Sequence, residues 1–341
     1  MGEKWLYWFE ELGSGFNDVV GKKCANIGEM TKLGMQVPPG FAVSVNGWNL
    51  FMKLTGTVEE LRQYLDREFT DPHDISQQVV AGRAIRAMIE NKAMPAQMMD
   101  QVLANYEKLC QRTGISDLPV AVRSSGAVSM PGQMETYLNV KGGQKVVDHI
   151  IKVWASAYTT RAIAFRVETG MDIAEAPIGV AVLKMVKPKS AGVVLTVLPN
   201  VGDTSKAVVE GNWGLGESVV SGEITPDNFV VDKESQGVQE EVNRKTKMVV
   251  YQDQGTLMVD VPLELQDKPC LTREELLEIV RVARQVEDHF QVPQDMEWVV
   301  DQDLELPESL YWVQARPAKF AVKKEKDSEY LAELMTRLFQ G

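Results

Sequence analysis

Apolar residues along the chain recur in two periods, and the switches between them mark out its elements. Residues 58–68 and 100–111 are charged, with apolar positions at helical spacing, and both predict helices. A polar hinge over 112–119 leads into the short apolar strand Val120-Ala121-Val122. Residues 144–168 predict one long helix carrying Trp154, Tyr158 and Phe165 at helical spacing. The valine-rich run 178–186, bounded by Pro177 and Pro188, reads as a buried strand. Beyond it come short strands at 191–198, 207–210 and 228–232, separated by Gly, Pro and Asn turns. Thr272 with Glu275 forms a capping box that opens a helix over 272–290. Its apolar face is Leu276, Ile279, Val280, Ala283, Val286 and Phe290. A hairpin follows, 295–300 with 310–314, closed by a polar loop, and a charged tail from Lys323 has a weak helical pattern. The pattern predicts a mixed α+β protein with a break between two lobes near Pro188.

Composition removes several classes of function. The 341 residues carry 36 Lys+Arg against 48 Asp+Glu, a net charge of −12, which argues against a phosphate-backbone partner such as nucleic acid. The longest apolar run, 176–186, is interrupted by Lys184 and falls short of a membrane span. The start, MGEKWLYWFEEL, is acidic and aromatic, unlike a signal peptide, and three scattered cysteines form no disulfide framework. A cytoplasmic location is expected. Standard nucleotide fingerprints also fail. Five residues separate Gly15 from Gly21 where a P-loop needs four, and Val219 stands where Gly214-Leu215-Gly216 needs a third glycine.

Four constellations remain, each with an ordinary alternative. Arg123 ends a buried strand and is followed by Ser124-Ser125-Gly126 and Ser129–Thr136; guanidinium and glycine N–H groups suit phosphate, though a surface turn has the same composition. Gly21-Lys22-Lys23 puts two cations at a helix start, where the dipole disfavours them unless an anion is near; a solvated basic pair is the alternative. Lys184 inside an apolar strand needs a cleft or a partner, or else snorkels from an edge. If Glu297 pairs with Gln314, then Trp298 faces Val313, and Asp295, Glu297, Gln314 and Arg316 share one sheet face. Those oxygens suit Mg²⁺, and Arg316 a phosphoryl group; a solvated hairpin face with a salt bridge fits equally. A fifth feature, Glu217 after Gly214-Leu215-Gly216, could meet a ribose or merely sit in a turn.

In order, VGKKCANIGEM, QVPPGFAVS, AVRSSGAVSMPGQMETYLNV, VAVLKMV, EGNWGLGESVVSGEITPDNFVV, DMEWVV and YWVQARP resemble the nucleotide-binding part of the phosphoenolpyruvate synthase and pyruvate phosphate dikinase family. The resemblance implies a two-lobed ATP-grasp fold closing on ATP and Mg²⁺. It implies an N-terminal lobe over 1–187 with a phosphate-binding loop, a C-terminal lobe over 188–321 with a metal-binding hairpin, and a tail, 322–341. Lys23 and Arg123 would hold phosphates under a loop that includes Gly132, Gln133 and Thr136. Lys184, Met185 and Val186 would meet adenine, and Glu217 the ribose. Glu297 and Gln314 would bind Mg²⁺, with Arg316 on the phosphates. Arg123, Arg316 and Lys23 would be the catalytic cations. Two departures stand out: the family shows Gly-Gly-Lys where this chain has Gly21-Lys22-Lys23, leaving both lysines as candidates, and the loop 301–309 is longer.

Family enzymes pass phosphate through a histidine on a swivelling domain. His73, His149 and His289 all lie in other contexts, so the resemblance implies a separate histidine-bearing, acceptor-binding partner, as in phenylphosphate synthases. A fragment of a full-length synthase or antibiotic phosphotransferase, or a non-catalytic ATP sensor, are the rival expectations.

Overall fold

The computed structural model describes residues 4–126, 134–253 and 255–320. In chain order it has β1 (Leu6–Trp8), α1 (Asn17–Lys32), β2 (Gly40–Val43), α2 (Val45–Leu54), α3 (Thr57–Glu68), α4 (Ile75–Glu90) and α5 (Ala96–Thr113). Then come β3 (Val120–Ser125), β4 (Thr136–Val140), α6 (Gly143–Ala155), α7 (Thr160–Thr169) and β5 (Gly179–Lys184). They are followed by β6 (Pro188–Leu195), β7 (Lys206–Trp213), α8 (Glu217–Val220), β8 (Asp227–Asp232) and β9 (Val238–Glu241). The remainder is β10 (Lys247–Tyr251), β11 (Thr256–Asp260), α9 (Arg273–Phe290), β12 (Gln294–Asp301) and β13 (Leu310–Pro317). This is a mixed α+β architecture. No helix among the described residues is long and apolar enough to cross a membrane.

The strands form one sheet in the order β1-β2-β5-β3-β4, a second in the order β13-β12-β6-β7-β8-β9, and the separate hairpin β10-β11. Alternation in the first sheet sorts its side chains between two cores. Phe41, Val43, Val120, Val122, Val180 and Val182 face a core built with α2 to α7. Ala42, Ala121, Ala181 and Leu183 face the opposite way, into a core shared with α1, α9 and the second sheet. Three of those four residues are alanine, on the adjacent strands β2, β5 and β3. Their small side chains make a floor on which α1 lies close to the sheet.

The predicted helix over 272–290 is present, with both capping-box hydrogen bonds: the Glu275 N–H donates to the Thr272 hydroxyl, and the Thr272 N–H to the Glu275 carboxylate. Its expected apolar face is buried against the second sheet, with Phe290 partly buried at the end. Two expectations need correction. The stretch 144–168 is not one helix: α6 ends at Ala155, a tighter turn covers Ser156–Tyr158, and α7 restarts at Thr160. Thr159 is extended (φ −60°, ψ 153°), and its hydroxyl accepts from the Ala162 N–H as a new N-cap. The break lets Trp154 and Tyr158 both enter the core beside Trp48 and Phe51, while Arg166 takes an inward position and Phe165 is only half-buried. In the hairpin, Glu297 does pair with Gln314 and Asp295 with Arg316, but Trp298 pairs with Trp312, not Val313. A bulge between Glu297 and Trp298 gives β13 one extra residue, so that both tryptophans are fully buried. The tail 322–341 lies outside the described residues.

Replacing the capping hydroxyl, Thr272→Ala, is expected to lower stability by about 1 kcal/mol. Urea denaturation should show a lower midpoint at unchanged slope.

Candidate functional site

The polar centre between the sheets starts from one backbone approach. Gly21 interrupts α1 with φ 79°, ψ 160°, a conformation costly for any residue with a Cβ. A Cβ there would sit 2.0 Å from the Ser125 carbonyl oxygen, so the position demands glycine twice over. The helix restarts against the end of β3: the Lys22 N–H donates to the Gly126 carbonyl at 3.1 Å, and the Cys24 N–H to the Ser125 hydroxyl at 3.0 Å. That docking settles which lysine faces the centre. Lys22 is exposed, whereas Lys23 is half-buried. Burial, then the Arg123 guanidinium, push the Lys23 pKa down to about 8; Glu297 opposes the shift and Arg316 adds to it.

Arg123 shares its sheet face with Ala121 and so points toward the second sheet. Its Nη2 donates to Glu297 Oε2 at 3.1 Å and to Gln314 Oε1 at 3.4 Å, across the whole gap between the sheets. Its Nε is buried without a hydrogen-bond partner. One step along β12 and β13, Arg316 donates to Asp295 through Nε at 2.8 Å, and its Nη2 lies 2.7 Å from the same oxygen. The four polar side chains expected on one hairpin face are together.

The fit to a divalent cation follows from that geometry. Glu297 and Gln314 converge on a single donor nitrogen, so one positive centre is already within reach of both oxygens. They supply only two ligands, and no cluster of three or more His, Cys, Asp or Glu among the described residues makes a self-sufficient metal site. That suits a hard cation which takes its remaining oxygens from water and phosphate.

A cavity of about 470 Å³ opens beside the cluster. Of the expected site residues, Arg123, Thr136, Lys184, Met185, Val186, Glu217 and Glu297 line it. Gln314 joins through Arg123, while Lys23 and Arg316 stand in the same electrostatic neighbourhood. Gly132 and Gln133 lie outside the described residues. Leu138, Leu183, Val299 and Val313 give the rest of the cavity apolar walls that suit a flat, weakly polar ring. Lys184 ends β5 and opens into this space, so its ammonium is not sealed in the core. Glu217 Oε2 accepts from the Thr256 hydroxyl at 3.0 Å. The Tyr251 hydroxyl donates to the Val186 carbonyl. Tyr251 and Thr256 were missed from sequence, as was the hairpin carrying them. A larger cleft of about 800 Å³, near α2 and α5, is lined chiefly by amides, lysines and tryptophan and has no comparable convergence of charge.

The sequence profile of the pyruvate phosphate dikinase AMP/ATP-binding domain matches residues 17–336. Among curated proteins, the chain is 36% identical over 321 residues to a probable phosphoenolpyruvate synthase of Methanothermobacter thermautotrophicus, covering 92% of this chain and 46% of that protein. It is 34% identical over 334 residues to a probable phosphoenolpyruvate synthase of Methanocaldococcus jannaschii, covering 96% of this chain and 28% of that one. It is 33% identical over 378 aligned residues to the phosphoenolpyruvate synthase of Pyrococcus furiosus, covering 98% of this chain and 46% of that one. The chain therefore belongs to the AMP/ATP-binding domain family of pyruvate phosphate dikinase, an ATP-grasp-type family, and spans less than half the length of these relatives.

Below about pH 8 the Lys23 ammonium is charged; above it the free chain loses that proton, which a bound polyphosphate would favour keeping. ATP affinity should thus fall above pH 8, by up to about tenfold per pH unit. Calorimetric titration between pH 7 and 9 should show this slope in the wild type and a flat profile in Lys23→Met.

Proposed function

We propose that this chain is the ATP-using component of a dikinase-type phosphotransferase. The observation that carries the reading is the bridge Arg123–Glu297–Gln314, with Arg123 and Glu297 lining the cavity and Lys23 and Arg316 nearby. In this reading the first sheet with its helices (1–187) and the second sheet with α9 (188–321) are the two lobes of an ATP-grasp fold. Adenine lies against Met185 and Val186, with Lys184 beside it, and Glu217 meets the ribose. Lys23, Arg123 and Arg316 hold the phosphates, and Thr136 closes the loop that covers them. Mg²⁺, held by Glu297 and Gln314, would neutralise charge on the β- and γ-phosphates.

The charges of the residues support it. Lys23, Arg123, Lys184 and Arg316 outnumber Asp295, Glu217 and Glu297 by one. A divalent cation raises the excess to roughly three, close to the charge of a nucleoside triphosphate. Local positive charge in a chain of net charge −12 favours an anionic ligand there.

The acceptor is assigned to a histidine outside this chain. His289 Nε2 lies 2.9 Å from Glu29 Oε1, His149 Nδ1 is bonded to the Lys145 carbonyl, and neither they nor His73 line the cavity. The two terminal phosphates of ATP would pass to that histidine, water would take one, and AMP and phosphate would leave. On a separate partner subunit that also binds the acceptor, the outcome would be phenylphosphate made from phenol. The names and lengths of the relatives favour a second reading, in which the same site serves a phosphoenolpyruvate-synthase-like enzyme.

The deciding experiment incubates the chain with Mg²⁺ and ATP labelled in the β-phosphate, with and without a histidine-bearing subunit. Label should reach histidine, with AMP released, only when that subunit is present. Binding without transfer would leave a nucleotide sensor, and turnover of phenol by this chain alone would overturn the need for a partner. Glu297→Ala should cut transfer roughly hundredfold or more, because several kcal/mol of charge stabilisation go with the cation. Unchanged activity in that variant sinks the metal assignment.

A further inference from the structure

Among the described residues the hairpin β10-β11 joins neither larger sheet and has only isolated bridges to its neighbours, of Val249 with Gly214 and Leu215; a two-stranded hairpin alone has little stability of its own. Its place beside the cavity must come from tethers. On one side these reach the second half of the chain. The Leu215 N–H donates to the Val249 carbonyl at 2.9 Å, the Asn212 amide to the Lys247 carbonyl at 2.9 Å, and Thr256 to Glu217 at 3.0 Å. The Tyr251 hydroxyl adds a bond to Val186, in the link between β5 of the first sheet and β6 of the second.

A strand of the first sheet reaches the hairpin through one side chain, Asn139 of β4. Asn139 Nδ2 donates to the Gln252 carbonyl at 2.5 Å and to the Gly255 carbonyl at 3.1 Å, which uses both N–H bonds of the amide. The residue is only 2% exposed and has φ +55°, a conformation that asparagine tolerates better than most residues. An irregular register between β3 and β4 puts it there: Val120 pairs with Val140 and Val122 with Tyr137. Leu138 beside it and Tyr251 on the hairpin both line the cavity. Nothing in the proposed phosphate or metal chemistry uses Asn139.

We infer that Asn139 is a positioning residue: it latches the hairpin to the first sheet and so fixes the base-side wall of the nucleotide cavity. The inference rests on the proposed nucleotide site. A latch on that wall acts on the adenosine part of the ligand, so AMP and ATP should feel its loss equally. Loss of Arg123, by contrast, should spare AMP relative to ATP.

Two variants test it. Asn139→Asp keeps the shape and the tolerance for positive φ, but turns two donors toward the carbonyls into acceptors. Asn139→Gly keeps the backbone conformation and removes the amide. Amide hydrogen exchange in the nucleotide-free chain should accelerate at least about tenfold in β10 and β11, and the rest of the chain should keep its protection. Dissociation constants for AMP and Mg-ATP should both rise by about tenfold, the effect of losing roughly two net hydrogen bonds. Unchanged hairpin protection overturns the latch, as does a loss confined to ATP. Loss of protection across the whole chain in both variants assigns Asn139 to the core and overturns it as well. If the wild type binds neither nucleotide, the proposed function fails, and hairpin exchange still decides whether Asn139 holds the hairpin.

Discussion

The close approach of α1 to the end of β3 is the constraint on which the site depends. It requires a glycine at 21, because Ser125 leaves no room for a side chain, and alanines at 42, 121 and 181 beneath the helix. Seated there, α1 also reaches the other sheet. The Asn26 amide donates to the Ala315 carbonyl at 2.7 Å, on the residue between Gln314 and Arg316. Just past the helix, the Gln36 carbonyl accepts from the Trp312 N–H at 2.9 Å, and Glu29 meets His289 at the end of α9. One helix thus delivers Lys23 and aligns the strand that carries Gln314 and Arg316. An enlarged side chain at position 21 would disturb the phosphate side and the hairpin side together.

Features that depend on local periodicity were legible in the sequence. The helix over 272–290 carried its own start signal in Thr272 and Glu275, and once Glu297 is paired with Gln314, strand alternation puts Asp295 and Arg316 on the same face. The bulge after Glu297 was not legible, because it is set by packing two tryptophans into one core. The interruption at Thr159 had a signal in its hydroxyl, which competes with helix continuation by capping the next segment. The hairpin β10-β11 also had one: Asp253 and Gly255 between two runs of β-branched and apolar residues. The choice between Lys22 and Lys23 had none, since it turns on the backbone at Gly21. Asn139 was equally silent, because its role follows from a positive φ and from a partner more than a hundred residues away.

The charges of the centre are mutually dependent. Lys23, Arg123 and Arg316 crowd around two carboxylates, Glu297 and Asp295. Each arginine is paired with one of them, and Lys23 is left to share Glu297 with Arg123. The side chains of Arg123 and Glu297 are only 17% and 18% exposed, so separating them without replacing either partner would leave two poorly solvated charges. Lys23 is the cation here that can shed a proton: burial first, and then the neighbouring Arg123, lower its pKa. An anion entering beside Lys23 relieves the crowding directly. It also gives Arg123, whose Nε has no hydrogen-bond partner, an acceptor for that donor. The proposed phosphate site therefore rests on positive charge and an unpartnered donor already held in place by the fold. The same seating of α1 brings Lys23 within range of the two arginines.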